Sequence, residues 1–199
     1  MTKINNLYEN HVNKPNEFNS TDINEHLPTL KSYSEKYKHI TEMGVRWGSS
    51  TIAFLAGNSS KLISYDIQIT NEINEIINLS KTIETDFIFN KQDTLSIDIE
   101  TTDVLFIDTL HTYNQLYSEL IKHSEKVKYH ILLHDTVSFR EKDEVLYNHA
   151  SVIIKNMKNS KKGLYQAVTD FITINNDWYI EKEYKNNNGL MVLSRNSNK

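Results

Sequence analysis

The sequence predicts an α/β domain built on a doubly wound, mostly parallel seven-stranded sheet that closes with an antiparallel hairpin. Three observations lead there. Apolar runs too continuous for a sheet with one wet face alternate with segments of helical period. Four of these runs end at or beside an acid, namely Glu42, Asp66, Asp108 and Asp135. The last two runs are joined by Asn186-Asn-Asn-Gly189, a hairpin-turn sequence.

Each element follows in chain order. Residues 1–19 are rich in Asn, Lys and Glu with no evident apolar period, so residues 1–22 are expected to be an extension, lying over one domain of residues 23–199 or partly disordered. Pro28 suits the first turn of a helix through Leu30, Tyr33 and Tyr37. His39–Met43 reads as the first strand and turns at Gly44; Ser49-Ser50-Thr51 would cap a helix over Ile52–Ala56 that stops at Gly57. Lys61–Asp66 is a second strand, and Ile73, Ile76 and Ile77 space a helix within Ile69–Ile83. Strands over Phe87–Phe89, Asp103–Asp108 and Tyr129–Asp135 follow, with a helix over Tyr113–Lys126 before the last of them. A helix over Gly163–Ile174 and strands over Trp178–Glu183 and Leu190–Ser194 complete the chain.

Bulk properties narrow the function. A chain of 199 residues, 38% hydrophobic and 24% charged, can bury one sizeable core. The net charge of −4 gives no general attraction to nucleic acid or to an anionic membrane, and neither is expected as a partner. The basic run Lys155, Lys158, Lys161 and Lys162 lacks interleaved aromatics and reads as a solvated helix end or loop. Without cysteine there are no thiolate ligands or nucleophiles, so any chemistry comes from oxygen and imidazole. The N-terminus carries no apolar leader and no run is long enough to span a bilayer, so a cytoplasmic location is expected.

A lone acid at a strand end is usually a helix cap. Four on one sheet edge beside a glycine loop point instead to a ligand crevice, because the carboxyl ends of parallel strands share one. Asp66 lies 22 residues beyond Gly44, near the spacing at which an acid meets ribose hydroxyls. The loop Gly44-Val-Arg-Trp-Gly48 lacks the G-x-G-x-x-G pattern and carries a bulky Trp47, which disfavours nicotinamide and flavin dinucleotides.

Five stretches together resemble the class I S-adenosylmethionine-dependent methyltransferases, within them the small-molecule and sugar O-methyltransferases of the cephalosporin-biosynthesis methyltransferase-like group. These are Glu42-Met-Gly44-Val-Arg-Trp-Gly48-Ser49-Ser50, Tyr65-Asp66, Gln92-Asp93-Thr94, Phe106-Ile-Asp108-Thr-Leu-His111-Thr-Tyr113 and Leu133-His134-Asp135-Thr136. The resemblance covers about residues 25–195 and implies a Rossmann-like methyltransferase fold. It implies a cofactor site of Glu42, Gly44, Gly48, Ser49, Ser50, Asp66, Asp93 and Asp108, with both glycines letting the backbone meet the methionine part. It further implies Mg²⁺ on Asp108 and Asp135, with His134 as the remaining candidate ligand, and His111 as general base. The sequence departs from the family at Thr109, where the pattern has glycine.

The expected activity is methyl transfer from S-adenosylmethionine to a hydroxyl of a small molecule or sugar, assisted by a divalent metal. A hard cation on carboxylates lowers a hydroxyl's pKa and fixes its place, and a neutral imidazole of pKa about 6.5 can take the proton. The alternative is a non-catalytic S-adenosylmethionine-binding module with a partner-binding or sensing role, suggested by Thr109 and the altered metal set. His26 is a further candidate for reaching the cofactor, and the last strand pair and leading helix are candidate surfaces for a homo-oligomer.

Overall fold

In the computed structural model, which describes residues 2–146, 152–157 and 160–196, seven strands form one sheet. They are β1 (His39–Met43), β2 (Lys61–Asp66), β3 (Asp86–Lys91), β4 (Thr102–Ile107), β5 (Val127–His134), β6 (Trp178–Tyr184) and β7 (Leu190–Arg195). Their order is β3-β2-β1-β4-β5-β7-β6. β1 to β5 pair in parallel, β7 runs antiparallel to β5, and β6 runs antiparallel to β7. The doubly wound sheet and terminal hairpin read from the sequence are therefore both present.

Alternation along the strands explains why both faces are covered. Ile40, Leu62, Val104, Phe106 and Leu132 enter one core cluster, while Met43, Ile63, Leu105, Ile107, Ile131 and Leu133 enter the other. Helices α1 (Lys3–Asn13), α2 (Leu27–Lys36), α3 (Ser49–Gly57) and α4 (Asn71–Ser80) supply the first cluster; α5 (Tyr113–His123) and α7 (Leu164–Ile174) supply the second. A short α6 (Val152–Asn156) precedes α7, and Lys158 of the basic run lies outside the described residues. Among the described residues no helix is long and apolar enough to cross a membrane.

Two expectations change. Residues 3–13 are not aperiodic cover: α1 is capped by the Thr2 side chain, and Ile4, Tyr8 and His11 are buried one turn apart. The Ser49-Ser50-Thr51 cap does not form either. Gly48, at φ +85, is the N-cap residue of α3 and makes no side-chain cap, while the hydroxyls of Ser50 and Thr51 turn inward to Glu42.

Because Ile4 is buried against α3 and α4, Ile4→Ala should cost about 2–4 kcal/mol in urea unfolding, the usual range for a core aliphatic truncation. A loss within about 0.5 kcal/mol would show that α1 is a dispensable cover.

Candidate active site

β1 and β4 are neighbours whose chains leave toward opposite sides of the sheet, so a crevice opens at their carboxyl ends. Gly44 lets the two strand ends meet there. Its φ is +84, and a Cβ on it would stand 2.0 Å from the Asp108 carbonyl oxygen, a backbone atom that cannot step aside. The approach is sealed by Asp108 N–H donating to the Met43 carbonyl (2.8 Å) and Gly44 N–H donating to that of Tyr65 (2.9 Å).

Asp66 holds the loop that follows. Its Oδ2 accepts the N–H groups of Val45 (2.8 Å) and Arg46 (3.0 Å), and its Oδ1 accepts that of Gln68 (2.8 Å). This leaves about one of a carboxylate's four acceptor positions for a ligand. The two amide bonds also steady Arg46 at φ +52, a left-handed conformation uncommon outside glycine.

Glu42 is fully buried and accepts from Ser50 (2.5 Å) on Oε1 and from Thr51 (2.7 Å) and Ser64 (2.5 Å) on Oε2. Burial raises its pKa, the three hydroxyls work the other way, and the balance leaves it at about 7. Glu119 of α5 is built alike. It accepts from Thr94 (2.6 Å), Gln115 (2.7 Å) and Thr109 (2.8 Å), and burial again outweighs the donors and lifts it to about 7. Thr109 thus anchors the turn after β4.

The crevice holds a cavity of about 500 Å³, within the range of small-molecule sites. Of the residues expected at a site, Gly44, Asp66, Asp93, Asp108, His111 and Asp135 line it. Glu42, Gly48, Ser49, Ser50 and His134 do not: Glu42 and Ser50 bond each other, Ser49 pairs with His11 Nδ1 (3.0 Å), and Gly48 faces Ile73 and Ile76. They shape the loop from behind. Asp93 accepts Leu95 N–H (3.0 Å) and so caps a turn at the cavity wall. His26 is buried with Nε2 on the Asn186 carbonyl (2.9 Å) and also stays outside the cavity.

At the floor, His111 Nε2 stands 3.1 Å from Asp108 Oδ1 and 3.0 Å from Asp135 Oδ2, while its Nδ1 faces Glu144 Oε2 at 2.9 Å. Its ring stacks on Phe139, centroids 4.8 Å apart. Asp135 holds φ +58 immediately past β5, a strained conformation of the kind that gathers at functional sites. Asp108, His111 and Asp135 each offer a donor atom, all within 4.8 Å of one another, a set able to hold a metal ion. His134, the expected third ligand, is outside that set. Its Nδ1 lies behind the same oxygens, 3.4 Å from Asp108 and 3.5 Å from Asp135, and neither ring nitrogen makes a well-formed hydrogen bond.

Burial opposes charge on both imidazoles, and the surrounding carboxylates overcome it, raising His111 and His134 well above the ordinary histidine value. Asp108 is also penalised by burial, and its imidazole neighbours outweigh that and hold it below the usual carboxylate range. These carboxylates favour the protonated form of His111.

The sequence reading missed Asp22, Arg46 and Glu144, all of which line the cavity. Glu144 arrives because its N–H donates to the His111 carbonyl (2.8 Å) and Asp143 accepts Tyr113 N–H (2.8 Å). One acid within the mixed-charge stretch 140–144 carries no local signal of this.

Neither a protein-family model nor a curated protein matches the sequence. Solved structures do match. The magnesium protoporphyrin IX methyltransferase of Synechocystis with bound S-adenosylhomocysteine superposes with a TM-score of 0.60 at 12% identity, over 97% of this chain and 99% of that one. The fold is the Rossmann-like methyltransferase fold. The O-methyltransferase from Bacillus cereus in complex with S-adenosylhomocysteine shares this fold at TM-score 0.58 and 14% identity, over 86% of this chain and 81% of that one. So does the N-methyltransferase NodS from Bradyrhizobium japonicum at TM-score 0.57 and 13% identity, over 87% and 86%. The methyltransferase fold thus accommodates both oxygen and nitrogen acceptors among these neighbours.

The two buried glutamates predict a pH dependence. Each folded carboxyl keeps its proton to about pH 7, whereas the unfolded chain releases it near the ordinary value of 4.5. Their stabilising contribution is complete below the lower value and is lost as pH rises through the upper one. Unfolding free energy should fall between about pH 4.5 and about pH 7, each carboxyl contributing at most about 1.4 kcal/mol per pH unit, and Glu42→Gln or Glu119→Gln should flatten the curve. An unchanged slope in both variants would mean that these groups are ionised when folded.

Proposed function

We propose that this protein is an S-adenosylmethionine-dependent O-methyltransferase acting on a hydroxyl of a small molecule or sugar, with a divalent cation held by Asp108 and Asp135. The observation that carries this reading is that the Asp108–His111–Asp135 cluster opens into the same cavity as the glycine loop and Asp66.

The residues present fit both groups. The cavity has the volume for a small-molecule ligand, and Asp66 and Asp93 stand at its wall where ribose and adenine would lie. Two carboxylate oxygens suit a hard cation such as Mg²⁺. Bound there, such a cation lowers the pKa of an acceptor hydroxyl and holds it in place, while the cofactor supplies a methyl group on a sulfonium. Asp108 and Asp135 would hold that cation, and with their charge shared with it they would favour the His111 proton less. Glu144 Oε2 beside Nδ1 would favour the tautomer protonated there, which would leave Nε2 to accept the hydroxyl's proton. Phe139 and Glu144 would hold the ring in place for that transfer.

The test is methyl transfer to a panel of hydroxyl acceptors, with Mg²⁺ and with chelator. Asp108→Ala and His111→Ala should each lower turnover at least about 100-fold, with cofactor affinity largely kept in His111→Ala. Full turnover in both variants would refute the site; cofactor binding without turnover on any acceptor would favour the non-catalytic binding module.

A further inference from the structure

The glycine loop of this chain has already used several groups that could bind the carboxylate of an amino acid. The N–H groups of Val45 and Arg46 donate to Asp66, that of Gly44 to the Tyr65 carbonyl and that of Gly48 to the Val45 carbonyl. The hydroxyls at the start of α3 are also engaged, Ser49 with His11 and Ser50 and Thr51 with Glu42. The cavity wall itself is acidic, carrying Asp22, Asp66, Asp93, Asp108, Asp135 and Glu144. Among the described residues lining it, Arg46 is the only Lys or Arg.

The Arg46 side chain is largely exposed, and its contacts orient it. Its backbone is steadied by Asp66, its guanidinium lies over the Trp47 ring at 3.9 Å, and its Nη1 meets Asp22 Oδ2 at 2.9 Å. Cation and anion thus stand side by side at the cavity wall, the charge complement of an α-amino-acid zwitterion. We propose that the Asp22–Arg46 pair is the receptor for the amino-acid end of the cofactor, Arg46 taking the α-carboxylate and Asp22 the α-ammonium. The guanidinium fork suits a carboxylate, and the four charges alternate, so Arg46 and Asp22 need not part. The proposal rests on the cofactor reading above and assigns within it two residues, one of them from the N-terminal segment.

Two probes separate the amino-acid end from the rest: S-adenosylhomocysteine, and 5′-methylthioadenosine, which carries the same adenosine thioether without it. Calorimetric titration of the full chain should show Arg46→Met and Asp22→Asn each weakening S-adenosylhomocysteine about tenfold, as expected for a charge-assisted contact near solvent. Methylthioadenosine affinity should stay within about twofold in both variants, which also reports that the site is folded. If either variant leaves S-adenosylhomocysteine affinity unchanged, or if both ligands weaken together, the proposal is overturned. Wild-type protein that binds neither probe would instead overturn the cofactor reading, and the proposal with it.

Discussion

The missing side chain at Gly44 is the constraint on which the site depends. It allows the turn after β1 to rest on the backbone at Asp108, with a Cβ-to-oxygen clearance of only 2.0 Å had any other residue stood there. That contact places the glycine loop directly over the end of β4. Asp66, next along the sheet, then reaches the amides of Val45 and Arg46 and fixes the loop's course. One backbone contact therefore brings the loop, the acid after β2 and the acid after β4 to one cavity.

Carboxylates around this cavity meet two different fates, and their surroundings decide which. Glu42 and Glu119 are dry and see only hydroxyl and amide donors, so burial outweighs hydrogen bonding and their charge is disfavoured. Asp108 is buried as well, but His111 and His134 supply opposite charge and keep it ionised. The two glutamates brace the loop and α5 from behind, and the Asp108–His111–Asp135 cluster faces the cavity. Structural and chemical acids are thus sorted by their partners rather than by residue type.

Much of this was legible in sequence because it follows local rules. The apolar runs of β1, β2, β4 and β5 are buried on both faces, and their terminal acids had to fall on one edge once the strands were parallel. What depended on distant partners was not. Ser50 and Thr51 resemble cap residues, but Glu42 on the adjoining strand offers their hydroxyls a buried acceptor. The spacing of Ile4, Tyr8 and His11 does carry a helical period; the surrounding asparagines, weak helix formers, obscured it. Asp22, Arg46 and Glu144 belong to loops brought together by the fold, which the sequence does not show locally.

The central claim is that one cavity takes both an S-adenosyl ligand and a divalent cation. The most direct measurement is a crystal structure grown with S-adenosylhomocysteine and Mn²⁺, using the anomalous signal to locate the ion. The account predicts the nucleoside beside Asp66 and Asp93, and an anomalous peak at the Asp108 and Asp135 carboxylates in the same cavity. A ligand seated elsewhere, or an ion bound away from those two carboxylates, would contradict it.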